Sequence, residues 1–578
     1  MKQNPAANPA LALSNVIKDH PVQCPGLTPG SREILDLMQD LPKRLDAFLF
    51  KERTAFLWVV FLGGTGTGKS TLFNALCGRE LSSTGVERPK TYGPVLYLHQ
   101  DIPLQNEFPF SHILMERQSA AHDLFRSVAG KSGQIMLLGH HREEWAHLVL
   151  VDTPDVDSVE EENREITEDL YLLADAVVFV TSQEKYADEV PYRFLMRVLK
   201  DRRPCFFLLN KAQDALTLED VSLPSRNQDL PFERDRMWLI PYRPRDPQNT
   251  IAQEASFKAF RARLLRELAP ERLEDTRRSS HLLLLEDLKD RVGRLVDALE
   301  QENTAAEKWL HRLEGILESV CAEFMEVERE RFLTKSREYL RREIRGLFQK
   351  YDVLAGPRRI LKTLFRAPFH LLGFRGALSG ESRKEALLKI RDKMDLEPIL
   401  RSMDKFNALV LEKLSPRDEE SPLFRDMRLP ETLFTEEEIR QQIWEEQDRL
   451  DKWLEETFQK LSKELPRGKK WGIYSTSILW GILIIALETA IGGGFTVMDA
   501  ALDSALAPFL TKGAVELFAY QEIQRIARDL AEHYRDALLS VFRIQSSRYE
   551  ACMKSLLTPK ETLEDLKTIS SDLQAKGS

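Results

Sequence analysis

Two kinds of hydrophobic pattern divide the chain. Up to about residue 270, apolar residues come in short, nearly unbroken runs: Phe56 to Leu62, Val95 to His99, His147 to Val151 and Pro204 to Leu209. Runs of this length predict strands buried on both faces, as in a mostly parallel sheet with helices on either side. Farther on the spacing changes. Leu285, Leu288, Val292, Leu295 and Leu299, then Ala306, Trp309, Leu313, Ile316 and Val320, recur at three- and four-residue steps interrupted by Glu302, which predicts one long amphipathic helix. Ile443, Leu450, Leu454, Phe458, Leu461 and Leu465 predict a second, and Ile523, Ala527, Leu530, Tyr534, Ala537 and Val541 a third. One such stripe needs a partner to cover it, and three can cover one another as an elongated antiparallel bundle. The expected fold is therefore an α/β domain followed by an all-α helical stalk.

Two segments of the helical half differ from their surroundings. Trp471 to Leu487 carries no charge, and only Glu488 interrupts the stretch as far as Met498. That is about 26 Å of helix, at the short edge of a membrane span. Arg467, Lys469 and Lys470 precede it, Trp471, Tyr474 and Trp480 suit headgroup depth, and Gly492 to Gly494 offer a turn before Phe495 to Leu510. The pattern fits a membrane-inserting hairpin; a buried central helix of the bundle fits it as well. Arg358 to Gly376 mixes basic residues with Ile360, Leu361, Leu364, Phe365, Phe369 and Phe374 and has no acid. It suits an anionic bilayer surface, where each basic residue contributes about 1 kcal/mol. A solvated loop laid on the bundle is the alternative.

Composition narrows the rest. With 578 residues the chain has room for several domains, and 30% charged with 43% hydrophobic residues is ordinary for a soluble or peripheral protein. A net charge of −9 argues against nucleic-acid binding as the main activity. The five cysteines show no metal spacing and fit a reducing cytosol. The first thirty or so residues lack a signal-peptide core and read as a flexible leader.

The chemistry is concentrated in the first half. Gly63 to Thr71 read GGTGTGKST between an apolar run and a helical stretch. In the pattern G-x-x-x-x-G-K-[ST], glycines let successive backbone N–H groups face phosphates, the lysine adds positive charge and the hydroxyl can ligate Mg2+. Gly64, Thr65, Gly66, Thr67, Gly68, Lys69, Ser70 and Thr71 are thus expected to cradle a nucleoside triphosphate. Downstream, an apolar run ends at Asp152, the candidate carboxylate for the Mg2+ water shell. Thr153, Pro154 and Asp155 follow.

Pro204 to Leu209 then runs into Asn210, Lys211, Ala212, Gln213 and Asp214. This resembles the N-K-x-D of GTPases, and DTPD resembles their DTPG. The resemblance assigns guanine to the fourth position of N-K-x-D. Here either a one-residue bulge brings Asp214 to the base or Gln213 reads it less stringently, which leaves an ATPase as a minor option. Asp155 stands where GTPases have a glycine, and its carboxylate should repel a phosphate unless it points away. Leu81 to Thr91 resembles switch I of large bacterial GTPases with a G-x-x-R-P-x-T pattern, which makes Thr91 the metal-closing threonine and Thr84 the second choice.

In this order the motifs resemble the translation-factor-like GTPase class, over residues 50 to 245. Lys69 to Gly78, KSTLFNALCG, resembles its Era-like and dynamin-like branches, and among these the bacterial membrane-associated dynamin-like GTPases. The resemblance implies GTP and GDP as ligands, Mg2+ held by Ser70, Thr91 and Asp152, and Lys69, Ser70 and Thr91 supporting hydrolysis. It implies homodimers through the G domains, an anionic membrane surface as partner, and a cytoplasmic protein that is peripheral or hairpin-inserted at the inner face of the membrane. An Era-like switch whose helical half binds a protein or ribosomal partner is the alternative. Val156 offers no water-orienting glutamine, and Gly66 lacks the Asn or Ser used by potassium-dependent GTPases or dynamins, so intrinsic turnover should be slow. The expected organisation is a leader (1–30), a P-loop G domain with a leading helix (31–270) and a long amphipathic helix (271–350). A basic apolar segment (351–380), a helical bundle (381–470), an apolar hairpin (471–512) and a C-terminal helix with a tail (513–578) complete it.

Overall fold

The computed structural model describes residues 8–19, 22–83, 93–118, 131, 133–158, 160–185, 188–213, 216–217, 234–243, 247–331, 396–464 and 514–576. These fall into two compact units, one formed by Met1–Val22, Arg32–Glu300 and Thr558–Ser578, the other by Gln23–Ser31 and Gln301–Leu557. The basic segment Arg358 to Gly376 and the apolar stretch Trp471 to Leu510 lie outside the described residues. Among those described, no helix is long and apolar enough to cross a membrane.

The first unit opens with α1 (Pro9–Asp19) and α2 (Ser31–Arg53), followed by β1 (Leu57–Leu62), α3 (Lys69–Cys77), β2 (Val95–His99), the short α4 (Leu104–Glu107), β3 (Leu114–Gln118), β4 (Gln134–His140), β5 (Leu148–Asp152) and α5 (Glu161–Leu173). It continues with β6 (Ala176–Ser182), α6 (Glu189–Lys200), β7 (Cys205–Ala212), β8 (Met237–Pro241), α7 (Pro247–Gln253) and α8 (Ala255–Glu267). The strands form one sheet in the order β3-β4-β2-β5-β1-β6-β7-β8, parallel except where β2 meets β5. Why the central strand β1 is apolar at every position is visible in its packing. Trp58, Val60 and Leu62 enter one hydrophobic cluster, whereas Leu57, Val59 and Phe61 enter another. Side chains alternate across a strand, so a strand covered on both faces along its whole length, as β1 is, favours apolar residues at every position. β5 and β6 divide in the same way.

The leading helix α2 is anchored below this sheet. Lys51 near its end forms an ion pair with the buried Asp175, whose other contact is the Trp58 N–H at 2.7 Å. Burial pulls the Lys51 pKa down, and the Asp175 carboxylate opposes that shift.

Residues 9–19 correct the expected flexible leader. They form α1, with Ala10 and Leu13 buried, and α1 packs against the C-terminal helix α14 (Lys560–Lys576). A short helix is marginal alone and is stabilised by an apolar face it can cover; here that face comes from the other end of the chain. Gln23–Ser31 is likewise built in, within the second unit. Glu302 accepts hydrogen bonds from the N–H groups of Leu27 (3.0 Å) and Thr28 (2.6 Å) and from the Thr28 hydroxyl (2.6 Å).

The second unit is helical. α9 (Leu273–Arg331) contributes its residues from Gln301 onward, joined by α10 (Glu397–Leu414), α11 (Pro422–Asp426), α12 (Glu436–Glu464) and α13 (Ala514–Ser555). Trp309, Leu313, Phe324, Phe406, Ile443, Tyr534, Phe542 and Tyr549 share one core. α12 starts at a capping box: Thr435 and Glu438 exchange hydrogen bonds, and Glu438 also pairs with Arg548 of α13 at 2.6 Å.

Candidate nucleotide site

The carboxyl ends of β5, β1, β6 and β7 lie side by side, with Phe61 opposite Asp152 and Ser182 opposite Asn210. In an open α/β sheet this is where ligands bind. The loop after β1 turns through Gly66 (φ 71°) and Gly68 (φ 93°), both left-handed, and the latter caps α3. A Cβ on Gly68 would come 2.2 Å from Nδ2 of Asn210. Gly66 therefore lacks a side chain for a backbone reason: most residues are strained at that φ.

The N-K pair of β7 closes onto this loop. Asn210 Nδ2 donates to the Thr67 carbonyl and Lys211 Nζ to the Gly66 carbonyl, each at 2.8 Å. Lys211 takes a positive φ of 58°, and the β7–β8 register slips by one residue between Leu209 and Ala212. A bulge is thus present within the motif. Asp214 lies outside the described residues, as do Thr84 and Thr91, while the Gln213 N–H donates to Gln183 Oε1 at 3.2 Å. The Thr153 hydroxyl ties the DTP turn to the Phe61 carbonyl at 2.6 Å.

Asp152 is fully buried, and neither carboxylate oxygen has a hydrogen-bond partner of proper geometry. Burial raises its pKa, against the pull of the neighbouring Ser70 and Ser82 hydroxyls and the Lys69 charge. A buried carboxylate with both oxygens orphaned needs a counter-charge. The Ser82 hydroxyl is buried beside this carboxylate. This donor set, all oxygen and beside Ser70, fits a hydrated Mg2+.

Sequence reasoning did not assign Asn74 a structural task. Its side chain is buried and staples the start of the loop after α3, accepting from the Leu81 and Ser82 N–H groups at 3.0 Å and donating to the Ser82 carbonyl at 2.8 Å. Of the two dispositions left open for Asp155, the structure shows the one that faces the loop. Its carboxylate does not point away from the loop; it pairs with the Lys69 ammonium. Two residues on, Asp157 accepts from the Thr65 N–H (2.7 Å) and hydroxyl (2.8 Å).

Residues 59–212, from β1 through β7, match a family model described as the Dynamin family. The match falls on the dynamin side of the resemblance and gives the Era-like side no support. An uncharacterized protein in the xynA 3′ region of Caldicellulosiruptor sp. (strain Rt8B.4) is 30% identical over 167 residues, 28% of this chain and 41% of that protein. The chain thus spans less than half the length of this curated relative. Two solved chains of an oligomerised bacterial dynamin pair, described as a mechanism for long-range sensing and tethering of membranes, are loosely similar. One is 13% identical with a TM-score of 0.40, covering 99% of this chain and 96% of that one. The other is 16% identical with a TM-score of 0.29, covering 94% and 79%.

Proposed function

We propose that the chain is a dynamin-like GTPase that binds GTP in preference to ATP, hydrolyses it slowly, and is stimulated when its nucleotide-binding units self-associate. The observation that carries this reading is the convergence of Lys69, Ser70, Asp152, Asn210 and Lys211 at adjacent strand ends, within the stretch that matches the Dynamin family. Phosphoryl transfer depends mostly on positioning and charge neutralisation. The loop amides and the Lys69 ammonium bind and orient the phosphates; the Ser70 hydroxyl and the Asp152 carboxylate hold the metal side of the site. Bound there, Mg2+ supplies positive charge to the terminal phosphate oxygens. Low turnover is inferred from what surrounds the phosphates: Val156 is buried and apolar, and Gly66 has no side chain. Base preference would come from Asp214 or Gln213, and metal closure from Thr91.

The membrane part of the proposal rests on composition. Arg358 to Gly376 combines cationic and aromatic residues, and Trp471 to Met498 is almost free of charge. An anionic bilayer at the inner face of the membrane is the proposed partner. Binding and hydrolysis of GTP and ATP, measured over a range of protein concentrations with and without anionic liposomes, test the whole reading. GTP should bind more tightly, and the specific rate should rise with protein concentration. Fast hydrolysis independent of concentration rejects the self-association mechanism. Failure to co-float with liposomes in either nucleotide state rejects the membrane coupling.

A further inference from the structure

Lys69 is 4% exposed, and its ammonium meets the carbonyls of Gly63 (3.0 Å) and Gly64 (3.3 Å) as well as Asp155 Oδ1. An ammonium has three donors, so these partners saturate it. Nearby, Asp157 occupies the Thr65 amide, and the Val156 N–H donates to the Gly63 carbonyl at 3.2 Å. The loop's lysine and one of its amides are thus both held by carboxylates from one short segment. Asp155 itself is 23% exposed, enough to leave without unpacking the core.

We propose that Asp155 is a specificity-determining residue that discriminates against the terminal phosphate: its carboxylate serves Lys69 as an internal anion and must be displaced when a triphosphate binds. The inference rests on the nucleotide reading of the same site. A P-loop lysine reaches the β- and γ-phosphates. A diphosphate leaves the outer position open, and Asp155 stays beside Lys69. A triphosphate brings a doubly charged group to that position and sets it against the carboxylate. Binding then requires Asp155 to give up Lys69, which couples the presence of the third phosphate to movement of the 155–158 turn.

The test uses the full chain as wild type, Asp155→Asn and Asp155→Gly. Calorimetry gives the affinities for GDP and a non-hydrolysable GTP analogue with Mg2+ present, and for pyrophosphate and tripolyphosphate as probes without a base. Both variants should bind the triphosphate and tripolyphosphate about tenfold more tightly, with the diphosphate and pyrophosphate changing by less than about threefold. A triphosphate-to-diphosphate ratio unmoved within about twofold in folded Asp155→Asn overturns the proposal. An effect confined to Asp155→Gly does so too, because it reports backbone freedom and not charge. If wild type binds no nucleotide but binds tripolyphosphate with this Asp155 dependence, the nucleotide reading fails and the discrimination stands. If none of the three proteins binds any probe, both fall.

Discussion

Replacing Glu302 with Ala removes the acceptor that holds the Gln23–Ser31 segment. Glu302 is 1% exposed and receives three hydrogen bonds, from the Leu27 N–H, the Thr28 N–H and the Thr28 hydroxyl. Bonds to a charged group contribute about 1.5–3 kcal/mol each. Their plain sum overstates the loss for two reasons. Leu27 and Thr28 are only half-buried, so water can replace part of what is removed. Deleting a buried carboxylate also ends its own desolvation cost. A net loss of about 3 kcal/mol remains, which at 1.4 kcal/mol per factor of ten is about a hundredfold in local opening. Amide exchange of a peptide covering residues 23–31 should accelerate by that factor. Glu302→Gln, which keeps one acceptor oxygen, should fall between. Cys24 supplies a second readout: burial and then the Glu302 charge raise its thiol to about 12, so Glu302→Ala should make it more reactive toward a thiol reagent. Unchanged exchange in this peptide, with a folded variant, would refute the account of Glu302 as the anchor of the segment.

Asn74→Ala should cost about 2–3 kcal/mol by stranding two amides and a carbonyl, and should weaken Mg2+-supported nucleotide binding because Leu81 and Ser82 lose their tether; thermal unfolding and calorimetry check the two effects. Asp152→Asn should raise the melting temperature of the nucleotide-free protein by relieving an orphaned buried charge while removing the Mg2+ dependence of nucleotide affinity, and a lower melting temperature would contradict the orphaned state. Hydrogen bonds from Arg548 and Thr435 hold Glu438 down at about 2, against an ordinary glutamate value of 4.5. A depressed carboxylate contributes stability that is present above its unfolded pKa and lost as pH falls from 4.5 toward 2. The gap in melting temperature between wild type and Glu438→Gln should therefore be full at neutral pH and narrow across that window.

How much of this was legible in the sequence depended on whether a residue's constraint is local. The strands were readable because β1 has both faces covered, so the demand for apolar residues appears at every position of the run. The phosphate loop was readable because Gly66 and Gly68 answer to their own backbone angles. What the sequence concealed were residues whose partners are far along the chain. Pro9–Asp19 looked like a leader because α14, which covers it, lies at the opposite end. Glu302 looked like an interruption of an apolar stripe because periodicity does not reveal that two amides and a hydroxyl arrive there from residues 27 and 28. Asp155 shows the same limit most sharply. From the motif alone a carboxylate in place of glycine should repel phosphate or turn aside, and both options treat it as facing only the ligand. The third option, pairing with a lysine 86 residues earlier, emerges only when the ends of β1 and β5 are adjacent. A charge that violates a local pattern is therefore best treated as half of a pair whose other half the fold supplies, and its chemistry follows from that partner.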